Sequence, residues 1–544
     1  MGFFMRSAFW LTLIVSSLAA ACVLWFGAFP LGVRGEWEWS RVEPAIPLWL
    51  SIVPPLIAAI LYLAFVRFGA RRIEHSRRWA VWMWLAGLSI AGFAWLWIIQ
   101  ESAPQGYQLS KAAWVLYFRG SSGYFSEAHD NATDLTACLA GYEKKMAEGD
   151  VLHIGTHPPG LIVAFRGLMG ICHAVPSLVD LAGALEPDSV CGALDALEQT
   201  SAVPVSRVDR AVLWLAALFV HVSAALCVVP LFGLLRRTNS ASAAWIAASF
   251  WPAVPALAVF LPKSDCMYPV LATAFLWLWL SGLGRGSKIL CGLAGIALFL
   301  GMTLSLAFLP VAFLALVTTI CGFLRRGRAK DFERGAPAAS PQAPGRPAGL
   351  AFRYAEWRSL IPAVACGAAG FSVPVVAAWA VLKLNLFAVW RLNMLNHAHF
   401  YRQFPRTWWK WALINPVEFS MAAGVPLAVL ALWSMWRELR FSHSPAKAPA
   451  WAFLATFAIL WLSGKNMGEA ARLWIFLVPI LIWVAGSIFE SGVPRSGSES
   501  GLSIVPPQAA WEFSPSGWGW TCLLGLELAL AVVTVTRVAG FHYP

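Results

Sequence analysis

Residues 149–175 run GDVLHIGTHPPGLIVAFRGLMGICHAV, and the threading of the whole chain turns on them. Pro158 and Pro159 fix two φ angles and remove two N–H donors, so a helix can begin after His157 but cannot pass through it. Leu161 to Val175 is apolar but only fifteen residues long, and it carries Arg166. A helix needs about 20 apolar residues to cross a bilayer. If this one crossed, every later loop would invert and Arg236-Arg237 would face outward, against the bias of Lys and Arg toward the cytoplasm. The expectation is therefore a helix lying in or dipping into the outer interface. The loop from about 100 to 210 then lies wholly outside the cytoplasm.

The rest of the chain supports that frame. Of 544 residues, 59% are hydrophobic and only 12% charged, about half the charged share of a soluble protein; the mean hydropathy is +0.65. Apolar runs predict an all-α polytopic membrane protein with thirteen spans. They fall at 9–29, 45–67, 79–99, 211–234, 242–261, 267–283, 288–304, 306–323, 360–382, 417–436, 450–463, 473–489 and 516–537. Arg71, Arg72, Arg77, Arg78, Arg236, Arg237, Arg285, Lys288, Arg325, Arg326, Arg437 and Arg440 share one side if the N-terminus is cytoplasmic. The net charge of +12 thus sets orientation and does not indicate nucleic acid. The Ala/Pro/Gly-rich stretch 335–349 reads as a disordered cytoplasmic linker. The ten cysteines show neither CxxC nor zinc spacing, and Cys138 and Cys191 form a candidate disulfide in the outer loop.

This topology brings polar clusters to one face. They are Tyr124-Phe-Ser-Glu127-Ala-His129-Asp130; Asp150 with His153 to Gly160; Lys263-Ser-Asp265; and Lys465-Asn-Met-Gly-Glu469-Ala-Ala-Arg472. A looser region, Asn393 to Asn415, adds His397, His399, Arg406 and several Trp suited to headgroup depth. Carboxylates beside histidines serve acid–base chemistry or hold a divalent metal. No set here has clear ligand spacing. Lys263, Lys465 and Arg472 can neutralise a phosphate at the membrane surface.

The acidic stretch Glu127–Asp130, followed by Gly149-Asp150 and His157-Pro158-Pro159 before an apolar helix, resembles the type-C superfamily of membrane glycosyltransferases. The likeness is to the branch of lipid A aminoarabinose transferases and protein O-mannosyltransferases, and it covers residues 79–290 loosely. It implies a core over 79–323 with the large outer loop, two added N-terminal helices in 1–78, a cytoplasmic linker over 324–359 and C-terminal helices over 360–544. It further implies location in the inner membrane of a bacterium. The implied reaction moves a sugar, with inversion, from a polyprenyl-phosphate donor among the membrane lipids to an extracytoplasmic acceptor. Glu127 or Asp130 would be the base. Tyr124, His129, Asp150, His157, Lys263, Asp265, Lys465, Glu469 and Arg472 would bind substrate. The competing expectation is a transporter or lipid flippase of envelope biogenesis. It would favour ionisable residues deep inside spans and broken helices in internal repeats.

Overall fold

The computed structural model describes residues 2–43, 47–200, 204–335, 357–440, 447–490 and 517–541. Among the described residues the chain is helical, with one two-stranded hairpin that pairs Gly32–Val33 with Trp37–Glu38. Every expected apolar segment is mostly helical over its described residues, but not all are straight spans. Among the described residues, eight helices are long and apolar enough to cross a membrane, or up to ten if each of two bent pairs counts as one span. Four expected spans are shorter apolar helices: Lys288–Leu304, Phe308–Leu324, Lys447–Leu462 and Ile475–Glu490.

The segment expected as one span at 417–436 is instead two helices, Trp408–Ala423 and Val425–Arg440, meeting at 109°. The break is at Gly424, whose φ of +95° is open to glycine and costly for other residues. Glu527 fills the corner, its Oε2 accepting at 3.1 Å the Leu427 N–H, one of the first-turn donors that have no partner within the second helix. An added Cβ at Gly424 would overlap the Glu527 carboxyl. Gly424→Ala is therefore expected to destabilise the protein by about 1–3 kcal/mol from backbone strain alone. Thermal unfolding in detergent checks this; an unchanged midpoint would show that the corner is not constrained.

Ala241–Phe260 forms the centre of the bundle, and its entire length is buried. Pro252 and Pro255 interrupt it, leaving a 3-10 turn at Trp251–Ala253. Backbone groups freed this way must find partners inside a membrane. The Trp95 indole donates to the Pro252 carbonyl at 3.0 Å, and the Tyr62 hydroxyl donates to Ser249 O at 2.8 Å. This central element delivers the Lys263–Asp265 turn into the middle of the molecule.

The expected outer loop is folded into eight short helices between Lys111 and Thr200. Gly160–Ala174 is among them. Its fifteen residues rise only about 22 Å, short of a hydrocarbon core of about 30 Å. It then turns by 102° into Pro176–Ala184. Arg166 ties it back to the loop by donating to Thr133 O at 3.1 Å. The next long helix starts at a capping box in which Ser206 and Asp209 exchange side-chain and backbone hydrogen bonds.

Two expectations change. Cys138 and Cys191 are free thiols on separate short helices, so no disulfide joins them. The helix that begins at Phe308 continues to Gly335, so the first part of the expected linker is helical; residues 336–356 lie outside the described residues.

Candidate functional site

The turn at His157 is held rigidly. Asp150 accepts the Leu152 N–H at 2.9 Å and the Gly155 N–H at 3.2 Å, winding one helical turn at His153–Thr156. The carbonyls beyond it are gripped from a distant helix, Leu386–Gln403. Asn393 Nδ2 donates to Gly155 O at 2.9 Å and to His157 O at 3.3 Å, and Asn396 Nδ2 donates to Gly155 O at 3.0 Å. The Tyr142 hydroxyl donates to His157 O at 3.1 Å. Gly160 lies so close to the Thr303 carbonyl that any side chain there would collide with it. The motif is thus a clamped backbone corner, and its histidines are the groups it presents.

The His157 tautomer follows from its partners. Nδ1 lies 3.0 Å from His153 O and 3.1 Å from Thr156 Oγ1. The Thr156 hydroxyl donates its proton to Leu152 O at 2.8 Å. Both neighbours of Nδ1 therefore accept, Nδ1 carries the hydrogen, and Nε2 keeps the lone pair. Burial pushes this imidazole down to about 4, against an opposing pull from Asp265, so it is neutral at physiological pH. The Tyr124 ring stands edge-on to it at 5.9 Å.

Around this corner the fold collects charges from four stretches of chain. Lys263 Nζ donates to Ser121 O and lies 3.3 Å from His153 Nε2. Arg472 Nη2 donates to Glu469 Oε1 at 2.6 Å, and its Nε lies 3.7 Å from Asp265 Oδ2. Lys263, Asp265 and Arg472 are buried. Burial, and then the Arg472 charge, pushes Lys263 down to about 7. Burial would raise Glu469, but Arg472, Arg406, Lys263 and His397 outweigh it and hold the carboxyl below its usual range. Lys465 is exposed at the rim, where after burial it is the main influence lowering His397.

No protein-family model matches this chain, and a search of curated proteins returns no match.

The cluster unites Tyr124, His157, Lys263, Asp265, Glu469 and Arg472, with Lys465 near it. Other expected residues are engaged elsewhere. Glu127 accepts from Lys145 Nζ and from Asn131 Nδ2 at 2.9 Å. Asp130 pairs with Arg119 at 3.2 Å and with His129 at 2.8 Å, and His129 also faces Asp209 at 3.7 Å. Asp150 spends both oxygens on the turn it caps. Among the described residues, no group of three His, Cys, Asp or Glu side chains could hold a metal.

The structure also adds residues that sequence reading did not single out. Glu418 Oε1 accepts from Trp39 Nε1 and from Ala471 N–H, each at 3.0 Å. It lies on the wall of an apolar cavity of about 130 Å³, lined among others by Leu24, Trp39, Phe260, Met421 and Val538. Ala471, also on that wall, precedes Arg472, and Phe260 lies three residues before Lys263. An apolar cavity thus ends beside a cationic cluster.

Proposed function

We propose that the protein is an integral membrane glycosyltransferase that takes a sugar from a polyprenyl-phosphate donor and passes it to an acceptor on the outer side of the membrane. The observation that carries this reading is the cluster of Lys263, Arg472, Asp265 and a neutral His157 beside an apolar cavity. That pairing suits an amphiphile with an anionic head.

In the reaction the acceptor oxygen or nitrogen bonds to the anomeric carbon from the face opposite the phosphate, and the carbon–oxygen bond to phosphate breaks. The acceptor proton goes to His157 Nε2, the nitrogen whose lone pair is unshared. The departing polyprenyl phosphate gains negative charge, which Arg472 and Lys263 stabilise. Asp265 and Glu469 keep Arg472 in place through their ion pairs. Glu127, expected as base, would first have to leave Lys145 and Asn131, so the proton is assigned to His157 here. The short helix after Gly160, too short to cross, suits an outer-interface position beside the acceptor.

The test is transfer from radiolabelled polyprenyl-phosphate sugars by the purified protein in liposomes, followed against pH. His157 is neutral above about 4, and its activity is lost as pH falls through that value. Lys263 is charged below about 7, and its contribution to donor binding is lost as pH rises through that value. The kcat/KM profile should therefore be a bell with limbs near these two values. No transfer from any such donor would remove the proposal.

Transport is the second reading, favoured by the broken, fully buried helix 241–260 and the bent pairs at 102° and 109°. Movement of an unmodified labelled lipid across the liposome bilayer, with no sugar transferred, would select it.

A further inference from the structure

The sequence treats the N-terminal helices as an addition to the core, yet the segment after the first helix is built into the site. Glu36, in the hairpin turn, accepts four hydrogen bonds: from Thr407 N–H at 2.8 Å, Thr407 Oγ1 at 2.7 Å, Trp411 Nε1 at 2.8 Å and Lys410 Nζ at 3.0 Å. These donors outweigh the penalty of burial and pull its carboxyl down to about 2. The hairpin is therefore pinned to the corner that carries Arg406.

Arg406 sits in an aromatic cage, its guanidinium 5.2 Å from the Trp37 ring, 5.4 Å from Phe400 and 5.8 Å from Trp411. Gly468, at φ +80°, leaves the room its Nη1 occupies. Despite that confinement, Nε and Nη1 of Arg406 are buried without a hydrogen-bond partner, and so is Nε of Arg472. Arg472 itself is 8% exposed. Both arginines act on the one carboxylate of Glu469. Two fixed guanidinium groups with unmade N–H bonds are what a phosphate oxygen set would complete.

The apolar cavity lies one aromatic step away. Trp37 contacts Trp39 edge-on at 5.7 Å, and Trp39 forms part of the cavity wall with Leu24, Pro30 and Leu31 from the same N-terminal segment. Its volume of about 130 Å³ is close to that of dry protein cavities that take a benzene-sized group. We infer that Arg406 and Arg472 together bind the phosphate of a single-chain isoprenoid phosphate, whose first isoprene unit enters the cavity walled by the N-terminal segment. This rests on the proposed donor class, but it concerns binding alone. It makes the hairpin and first helix part of the ligand site.

The experiment is binding of farnesyl phosphate, farnesol and inorganic phosphate to the full-length protein in detergent, by calorimetry and thermal shift. Farnesyl phosphate should bind and raise the unfolding midpoint, with farnesol and inorganic phosphate each at least roughly tenfold weaker. Arg406→Ala should weaken farnesyl phosphate roughly 10- to 100-fold, the loss of charge-assisted hydrogen bonds. Arg406→Lys, which keeps the charge but not the fork, should fall between. Ala422→Phe, which fills the cavity without touching either arginine, should weaken farnesyl phosphate and leave inorganic phosphate unchanged. Equal binding of inorganic phosphate would leave a simple anion site, and equal binding of farnesol a simple apolar one; either overturns the inference. So would wild-type affinity in Arg406→Ala or in Ala422→Phe. Binding that follows this pattern without sugar transfer would overturn the transferase reading and leave this one standing. Transfer that ignores both substitutions would do the reverse.

Discussion

His157→Ala is expected to slow sugar transfer by about 10²- to 10⁴-fold, the usual worth of a positioned proton acceptor. Affinity for the lipid phosphate should stay near wild type, because the anion is held by arginines and not by this imidazole. The expectation rests on Nδ1 being tied to the His153 carbonyl and the Thr156 hydroxyl, which leaves only Nε2 to take a proton. His157→Gln is the sharper variant, since an amide can accept a hydrogen bond but cannot take up the proton. Its residual rate should lose the acid limb near pH 4 that wild type shows. A residual rate that kept the same limb would mean another group titrates there, and the role assigned to His157 would fall. A merely structural role for the ring would scale the profile without reshaping it.

Arg472→Met has the largest expected effect on stability. Arg472 is buried and answers two carboxylates, Glu469 at 2.6 Å and Asp265 at 3.7 Å. Removing one member of a buried ion pair leaves the others without compensation, at a cost of about 3–5 kcal/mol. Replacing the whole set costs far less, so Arg472→Met combined with Asp265→Asn and Glu469→Gln should recover most of the loss. Unfolding in detergent measures both. If the single substitution left the midpoint unchanged, or the triple variant were no better than the single one, the cluster would not be the coupled unit described here. The triple variant should still bind farnesyl phosphate poorly, which separates restored folding from a restored site.

Much of the architecture was legible because it is local. The described part of each expected span is mostly helical, since a long apolar run fixes its own backbone hydrogen bonding wherever it lies. The corner at Gly424 was not legible. Its cause, the Glu527 carboxyl, sits more than a hundred positions along the chain, and VPLAV after a glycine reads as one more turn of helix. Cys138 and Cys191 share a loop and so form a candidate pair in the sequence, but the loop folds into separate helices that keep them as free thiols.

The site divides in the same way. Sequence by itself determined that His157 stands at a rigid corner, because two prolines act on their own backbone whatever surrounds them. It also marked Lys263, Asp265, Glu469 and Arg472 as polar breaks between apolar runs. Only the tertiary structure decided which of these charges answer one another. The resemblance implies Glu127 or Asp130 as base, but Lys145 and Asn131 engage Glu127 and Arg119 engages Asp130, while Asp265 faces Arg472. Arg406 stood out only as one of several polar residues in 393–415, and Trp39 carried no signal, because the Trp37 wall of the Arg406 cage and the Glu418 bond of Trp39 each join residues more than three hundred positions apart. Electrostatic partnership depends on distance in space, and in a helical bundle that distance is set by packing.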